Sequence, residues 1–258
     1  METVTVITVT RGRTQLLKRA ILSVQRQDFL GPIKHLILFD SDDHETKNFL
    51  EILPTNHNLS WESVSLNGEK THVERVAKLR NFGTLKANSK WICFLDDDNE
   101  FSPDHISQLV RLATEKGLRA VYSDLMILNR DGSPFLGKYD PWIQNPVESV
   151  KAYDKLIQLG VFTHLSNITK TYAETIKLGD ITWAVDMGAW LLLRDLLLQI
   201  QFCEEYTEED LKTNVGEDEK LLWDLIRKKE PIDCTGKPTL IYYLGGFSNT
   251  FSHYLNST

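Results

Sequence analysis

Trp91-Ile92-Cys93-Phe94-Leu95-Asp96-Asp97-Asp98-Asn99 is the stretch on which the reading of this 258-residue chain turns. Five consecutive apolar residues bounded by polar ones read as a short buried strand. Three adjacent carboxylates where such a strand ends repel one another and lose hydration, so a compensating charge is expected. A divalent cation is the natural partner, because Mg²⁺ and Mn²⁺ prefer carboxylate oxygens and share their shells with phosphates. The plainer alternative is a solvated acidic turn before the next helix, whose cap Ser102 or Asp104 can supply.

Outward from this stretch the pattern is regular. Thr3 to Val9 alternates small polar and β-branched residues, the period of a strand. After the break at Arg11-Gly12-Arg13, Leu16, Leu17, Ala20, Ile21 and Val24 recur at helical spacing. Leu36-Ile37-Leu38-Phe39 ends abruptly in Asp40-Ser41-Asp42-Asp43, with a helical stretch running on to Leu53. Trp61 to Leu66 reads as a strand and Val73 to Ala87 as a helix. Ser102-Pro103-Asp104 opens a helix marked by Ile106, Leu109, Val110 and Ala113. Ala120 to Leu128 is a strand closed by Asn129-Arg130-Asp131-Gly132. Strands alternating with helices predict an α/β fold with a mostly parallel central sheet covered on both faces. Ligands of such sheets gather at the carboxyl ends of the strands, where Thr10 to Arg13, Asp40 and Asp96 to Asp98 all fall.

Beyond about residue 133 the rhythm changes. Phe135, Tyr139, Pro141, Trp142 and Pro146 cluster as in an irregular connection. From Thr182 the chain is apolar with Asp186 alone in it. Glu204 to Asp210 is acidic, and Gly216-Glu217-Asp218 opens a helix with Leu221, Leu222, Leu225 and Ile226 on one face. No repeat or linker divides the chain, so one compact domain is expected.

Composition narrows the partners. Hydrophobic residues make up 41% and charged residues 25%, with a net charge of −7. That acidity argues against nucleic acid, whose phosphates call for a basic surface. A diphosphate remains open if a divalent cation sits between it and the protein. Cys93, Cys203 and Cys234 form no C-x-x-C pair, which suits a reducing compartment. Met1-Glu2-Thr3-Val4 is unlike a signal peptide. Trp183 to Phe202, the most apolar stretch, carries Asp186, Arg194 and Asp195, so no transmembrane segment is expected. The expectation is a cytoplasmic protein, with peripheral membrane contact left open.

Leu79-Arg80-Asn81-Phe82-Gly83, then Trp91 to Phe94, then Leu95 to Asn99 and Pro103-Asp104 resemble the nucleotide-sugar half of family 2 glycosyltransferases, which have the GT-A fold. In that family a helix carrying A-R-N-x-G leads into an apolar strand and a metal-binding D-x-D. Val6 to Val24 resembles the family's first strand, its T-Y-N-R turn and its L-L-x-x-A-I-x-S-V helix. The likeness covers roughly residues 3–135 and thins out afterwards. It implies one GT-A domain over 1–258, with a nucleotide-sugar half to about residue 133 and an acceptor half from about 134. It implies Asp98 on a Mn²⁺ or Mg²⁺ ion, and Asp96 or Asp97 on the ribose. Asp40 would accept from a ring N–H of the base, which favours a UDP-sugar donor. Thr10, Arg13, Lys70 and Arg80 join the donor side, Arg13 and Lys70 as partners for diphosphate oxygens.

Gly216-Glu217-Asp218, with Leu221-Leu222-Trp223 behind it, resembles the family's acidic motif beside the acceptor. Asp218 is then the general base of an inverting transfer; the plain alternative is acids placed by the helix dipole. Asp186, Trp190 and Glu217 fall on the acceptor side, where the acceptor is a glycan, a lipid-linked or another hydroxyl compound. Aromatic faces beside Asp186 suit sugar rings, and a place in the core is the equal alternative for Asp186 with Trp183 and Trp190. Tyr243 to Asn249 resembles the closing Y-x-x-x-G-x-S segment, beyond which His253 could add a metal ligand.

Two departures concern the base. Thr10-Arg11-Gly12-Arg13 carries Arg-Gly where the family has Tyr-Asn, removing an aromatic. Asp40-Ser41-Asp42-Asp43 keeps the leading acid but not the D-D-G-S order. Other readings fit less well. A haloacid-dehalogenase-like phosphatase places its D-x-D near the first strand, and a sugar nucleotidyltransferase needs more glycine than Arg11-Gly12-Arg13 holds. A non-catalytic nucleotide-sugar or glycan-binding module of the same fold is the alternative from another class, and it would not need Asp218 as a base.

Overall fold

The computed structural model describes residues 1–54, 56–66, 71–171, 176–178, 181–183, 185–213 and 215–246, with backbone alone at 176–178 and 181–183. The first half runs β1 (Val4–Thr10), α1 (Thr14–Gln25), β2 (Ile33–Asp40), α2 (His44–Glu51), β3 (Leu59–Val64), α3 (His72–Lys86), β4 (Trp91–Phe94), β5 (Glu100–Phe101), α4 (His105–Lys116) and β6 (Ala120–Leu128). The second half holds α5 (Pro146–Gln158), β7 (Ile168–Thr169), β8 (Ile176–Leu178), β9 (Ile181–Trp183), a 3₁₀ turn (Met187–Ala189), β10 (Trp190–Leu193), α6 (Arg194–Ile200), α7 (Glu208–Lys212), α8 (Glu217–Arg227) and β11 (Ile232–Tyr243).

The main sheet has the order β3-β2-β1-β4-β10-β6-β11-β5, with β7 paired to β6, and β8 and β9 form a separate hairpin. β3, β2, β1 and β4 pair in parallel, as do β6 and β11. β10 is antiparallel to β4 and β6, and β5 is antiparallel to β11. The sheet is therefore mostly parallel, as the sequence pattern predicts.

Both faces are covered. Leu17 and Ile21 of α1 and Leu50 of α2 pack with Ile37 and Phe39 of β2. On the other face α3 comes close at Gly83, where a Cβ would lie 2.9 Å from Leu38 Cδ1 and 3.0 Å from Ile7 Cγ2. The glycine of the R-N-x-G segment is thus a packing requirement between helix and sheet.

β1 is central in the sheet and covered on both faces, as expected, and its threonines are buried. They are satisfied internally, Thr5 by Ser89 (2.7 Å), Thr8 by His35 (2.9 Å) and Thr10 by Asp97 (2.5 Å). The irregular connection expected after residue 133 contains α5. Asn145 caps it by accepting from the N–H groups of Val147 and Glu148 (3.0 and 3.2 Å), and Pro146 occupies the first turn. Asp104 precedes α4 but makes no side-chain cap; its oxygens accept from Ser102 Oγ (2.7 Å) and Gln108 Nε2 (3.2 Å).

Candidate active site

β4 ends at Phe94 and the three aspartates follow at the carboxyl edge of the parallel strands, in a turn closed by the Asn99 N–H donating to the Asp96 carbonyl at 3.1 Å. Within that turn Asp97 is fully buried, whereas Asp96 and Asp98 keep access to the edge. The Thr10 hydroxyl donates to Asp97 Oδ2 at 2.5 Å, Arg13 Nε donates to the same oxygen at 3.1 Å, and a second guanidinium nitrogen pairs with Oδ1. Burial pushes the Asp97 carboxyl up to about 7, against the pull of Arg13 and Thr10. Thr10 and Asp97 therefore brace the motif from below, and Asp96 is the member of the pair left partly exposed at the edge.

Asp98 accepts from Arg13 Nη1 at 2.8 Å, and Arg19 donates to its backbone carbonyl. Arg19 also pairs with Glu100 (3.3 Å) and lies 3.5 Å from the ring centroid of Tyr243, whose hydroxyl donates to Glu100 at 2.7 Å. Burial and the neighbouring Asp96 raise the Asp98 carboxyl, with Arg13 opposing. Among the described residues no three His, Cys, Asp or Glu side chains are arranged to hold a metal unaided. One carboxylate suffices for a Mg²⁺- or Mn²⁺-type site completed by water and substrate phosphates. Two features fit such an ion. Burial and Asp96 keep the Asp98 carboxyl raised even with Arg13 2.8 Å away, which a cation would offset, and a Cβ on Gly246 would lie 2.6 Å from Asp98 Oδ2, so the glycine leaves that oxygen room.

Asp40 ends β2 at the same edge. It is buried and ion-paired with Arg11 from the turn after β1 and with Arg75 from α3. Arg11 also reaches Asp42 at 3.3 Å, and the Gly12 N–H donates to Asp43 (2.8 Å), the residue that caps α2. Arg11 and Arg13, two residues apart, thus tie Asp40 and Asp98 to one edge.

On the other side of the motif stands the first turn of α8. Arg80 is buried in α3; one of its nitrogens donates to Asp96 Oδ1 at 2.8 Å and the other pairs with Glu217. Asp218 Oδ1 accepts from the Glu219 N–H at 2.9 Å, and Glu219 accepts from the Gly216 N–H at 3.1 Å. Desolvation, then the charges of Glu217, Asp186 and Glu219, raise the Asp218 carboxyl well above the usual range, and Arg80 opposes them. Asp186 accepts from the Gly188 N–H at 2.8 Å and is pushed up to about 7 by burial and by Asp96. A partly buried carboxyl with a raised pKa is the type of group that serves as a general base near neutrality.

Trp190 does not belong to this surface. Its ring is fully buried, packs against Tyr122 with centroids 5.2 Å apart, and donates through Nε1 to the Val185 carbonyl at 3.4 Å. Its place in β10, between β4 and β6, puts it in the core. Lys70, His253 and the side chain of Trp183 lie outside the described residues. The sequence reading overlooked Arg11, Arg75 and Arg19, all directed at the acids of this edge. It also missed Tyr206, whose buried hydroxyl is influenced by Glu217, Cys203 and Asp218. Arg11 alone left a local cue, standing with Arg13 in the turn at the end of the first strand; Arg19, Arg75 and Tyr206 are set by tertiary contacts.

The comparisons agree with this architecture. A family profile described as Glycosyl transferase family 2 matches residues 5–174, and the chain belongs to that family. A GalNAc(5)-diNAcBac-PP-undecaprenol beta-1,3-glucosyltransferase of Campylobacter jejuni subsp. jejuni is 29% identical over 130 residues, 49% of this chain and 39% of that protein. The crystal structure of S. aureus TarS 1-349 superimposes with a TM-score of 0.58 at 13% identity, covering 94% of this chain and 60% of TarS 1-349. The same fragment in complex with UDP-GlcNAc gives 0.58 at 15% identity, over 94% and 58% of the two chains. The fold is GT-A. The chain spans about two fifths of the curated relative and three fifths of the TarS fragment. No helix among the described residues is long and apolar enough to cross a membrane.

Proposed function

We propose that this chain transfers a sugar from a UDP-sugar to an acceptor hydroxyl in a single inverting displacement. Asp40 accepts from the base, Asp96 from the ribose, and Asp98 holds a Mn²⁺ or Mg²⁺ ion. Arg13 and Lys70 serve the diphosphate, and Asp218 is the general base, with Asp186 and Glu217 on the acceptor side. Residues 1–258 act as one GT-A domain, with a donor half to about residue 133 and an acceptor half after it. The single observation that carries the reading is the meeting of two acidic centres at one sheet edge, Asp96 and Asp98 after β4 and Asp218 on α8, in a family 2 chain.

The two centres divide the work. Bound at Asp98, a divalent cation would offset the charge that builds on the departing diphosphate. Asp218, on the opposite side of the sugar, takes the acceptor proton as the new bond forms. A raised pKa suits that step, because a stronger base accepts the proton more readily. The C. jejuni relative is named for an undecaprenol-linked substrate, which supports a lipid-linked saccharide acceptor and a cytoplasmic enzyme peripheral to a membrane.

The test is UDP release from UDP-glucose and UDP-GlcNAc, water taking the glycosyl group in place of the acceptor hydroxyl, with Mn²⁺, Mg²⁺ or EDTA. Asp98→Ala should abolish the metal dependence of UDP binding measured by calorimetry. Asp218→Asn should lower turnover by roughly 10²-fold or more and leave UDP affinity unchanged. Metal-independent UDP binding by the unaltered protein rules out the role of Asp98. UDP binding without any turnover would identify a non-catalytic nucleotide-sugar-binding module instead.

A further inference from the structure

Arg80 has two carboxylate partners, neither of them on its own helix. Asp96 follows β4 and accepts at 2.8 Å; Glu217 opens α8, 137 residues further along the chain. The guanidinium side chain is 4% exposed and sits 5.5 Å from the ring centroid of Phe94 and 5.8 Å from that of Phe202. A buried arginine is unfavourable unless its donors are used, and its planar fork can serve two carboxylates at once. With one terminal nitrogen on each acid, Arg80 spans the cleft between the donor motif and the acceptor-side helix.

The first turn of α8 needs such a tie. It carries Glu217, Asp218 and Glu219 in succession, and Gly216 at its N-cap has no side chain to cap it. The groups facing Asp218 are Glu217 and Glu219 on its own helix, Asp186 before the 3₁₀ turn, Tyr206 from the segment before α7, and Arg80 from α3. Arg80 is the cation in that set.

We infer that Arg80 is a positioning residue that locks the first turn of α8 to Asp96 and so sets where Asp218 stands relative to the donor. The inference rests on the proposed role of Asp218. It replaces the donor contact that the family likeness implies, because both terminal nitrogens of Arg80 are already committed to protein carboxylates.

Three variants of the full chain test it: Arg80→Lys, Arg80→Met and Glu217→Gln. Lysine keeps the charge but cannot fork between two acids, so backbone hydrogen exchange over residues 216–220 should quicken. Calorimetric affinity for UDP with Mn²⁺ should stay the same, while UDP release from UDP-glucose or UDP-GlcNAc falls roughly 10- to 100-fold, as for a misplaced catalytic group. The acid limb of the rate profile separates this role from general loosening. Removing the cation in Arg80→Met should move the limb to higher pH, and removing an anion in Glu217→Gln should move it to lower pH. Should Arg80→Met fail to fold, Arg80→Lys and Glu217→Gln decide the matter.

Unchanged exchange at residues 216–220 in Arg80→Lys overturns the inference. So do limbs that shift in the same direction, or a loss of UDP affinity with turnover intact. If the unaltered protein releases no UDP from either sugar, the transfer reading fails, and the exchange measurement still settles whether Arg80 locks α8.

Discussion

Two buried histidines should make this protein lose stability between pH 8 and pH 5, each by about 2 kcal/mol. His35 of β2 is buried, shares a 2.9 Å hydrogen bond between Nε2 and the Thr8 hydroxyl, and is pushed down to about 3 by desolvation. His105 of α4 is buried, bonds Thr239 Oγ1 through Nδ1 at 2.8 Å, stacks on Phe101 at 3.9 Å, and is likewise lowered to about 3. In the unfolded chain each titrates near 6.5. The folded pKa is the lower one, so the stabilising contribution is complete above about 6.5 and drains away as pH falls toward about 3. At pH 5 the unfolded chain has gained about 1.5 pH units of proton binding per histidine that the folded state refuses. At 1.36 kcal/mol per unit that is about 2 kcal/mol each and about 4 kcal/mol together. A domain of this kind has only about 5–15 kcal/mol in total.

Other groups titrate in the same window, so the measurement must be a difference. Urea unfolding of the unaltered protein, His35→Gln, His105→Gln and the double variant, followed by circular dichroism from pH 8 to pH 5, isolates the term. The gap between unaltered and variant stability should change by about 2 kcal/mol per histidine across that range, additively, since the two sites share no partner. Gaps that stay constant with pH would refute the reasoning, because they would mean that both rings protonate in the folded state as they do in the unfolded one.

Asp140 works in the opposite sense. Burial raises it to about 6, so its contribution is complete below about 3.8 and lost as pH rises through about 6. Asp140→Asn keeps the oxygen that accepts from the Trp142 N–H (3.0 Å) and should be more stable than the unaltered protein at pH 8 by up to about 3 kcal/mol. The two should unfold at the same urea concentration near pH 4, and equal stability at pH 8 contradicts the assignment. Gly246→Ala should place a methyl group against Asp98 Oδ2. Calorimetry should then show weaker Mn²⁺-dependent UDP binding with metal-free binding unchanged, and a wild-type metal response would remove Gly246 from the site.

The run Trp91 to Phe94 followed by Asp96 to Asp98 was legible because local physics suffices: a short apolar stretch buries itself, and acids at its end must face a ligand edge. The same holds for the helical periodicity of α1, α3, α4 and α8 and for Asp40 at the end of β2. Asn145-Pro146, a readable helix start, was masked by the aromatic and proline cluster before it. β10 could be seen as apolar but not as antiparallel, since period and composition say nothing of which strand lies alongside. That pairing buries Trp190 and so decides between the two readings open to it, an acceptor-side aromatic or a core residue. The three adjacent aspartates are chemically alike, and it is the packing of Thr10 and Arg13 beneath them that turns Asp97 into a buried brace and leaves Asp96 and Asp98 at the edge. The pairings of Asp40 with Arg11 and Arg75, and of Arg80 with Glu217, exist only in three dimensions. A charge has no periodicity that reveals its partner; a partner 137 residues away is decided by which helices the sheet brings together.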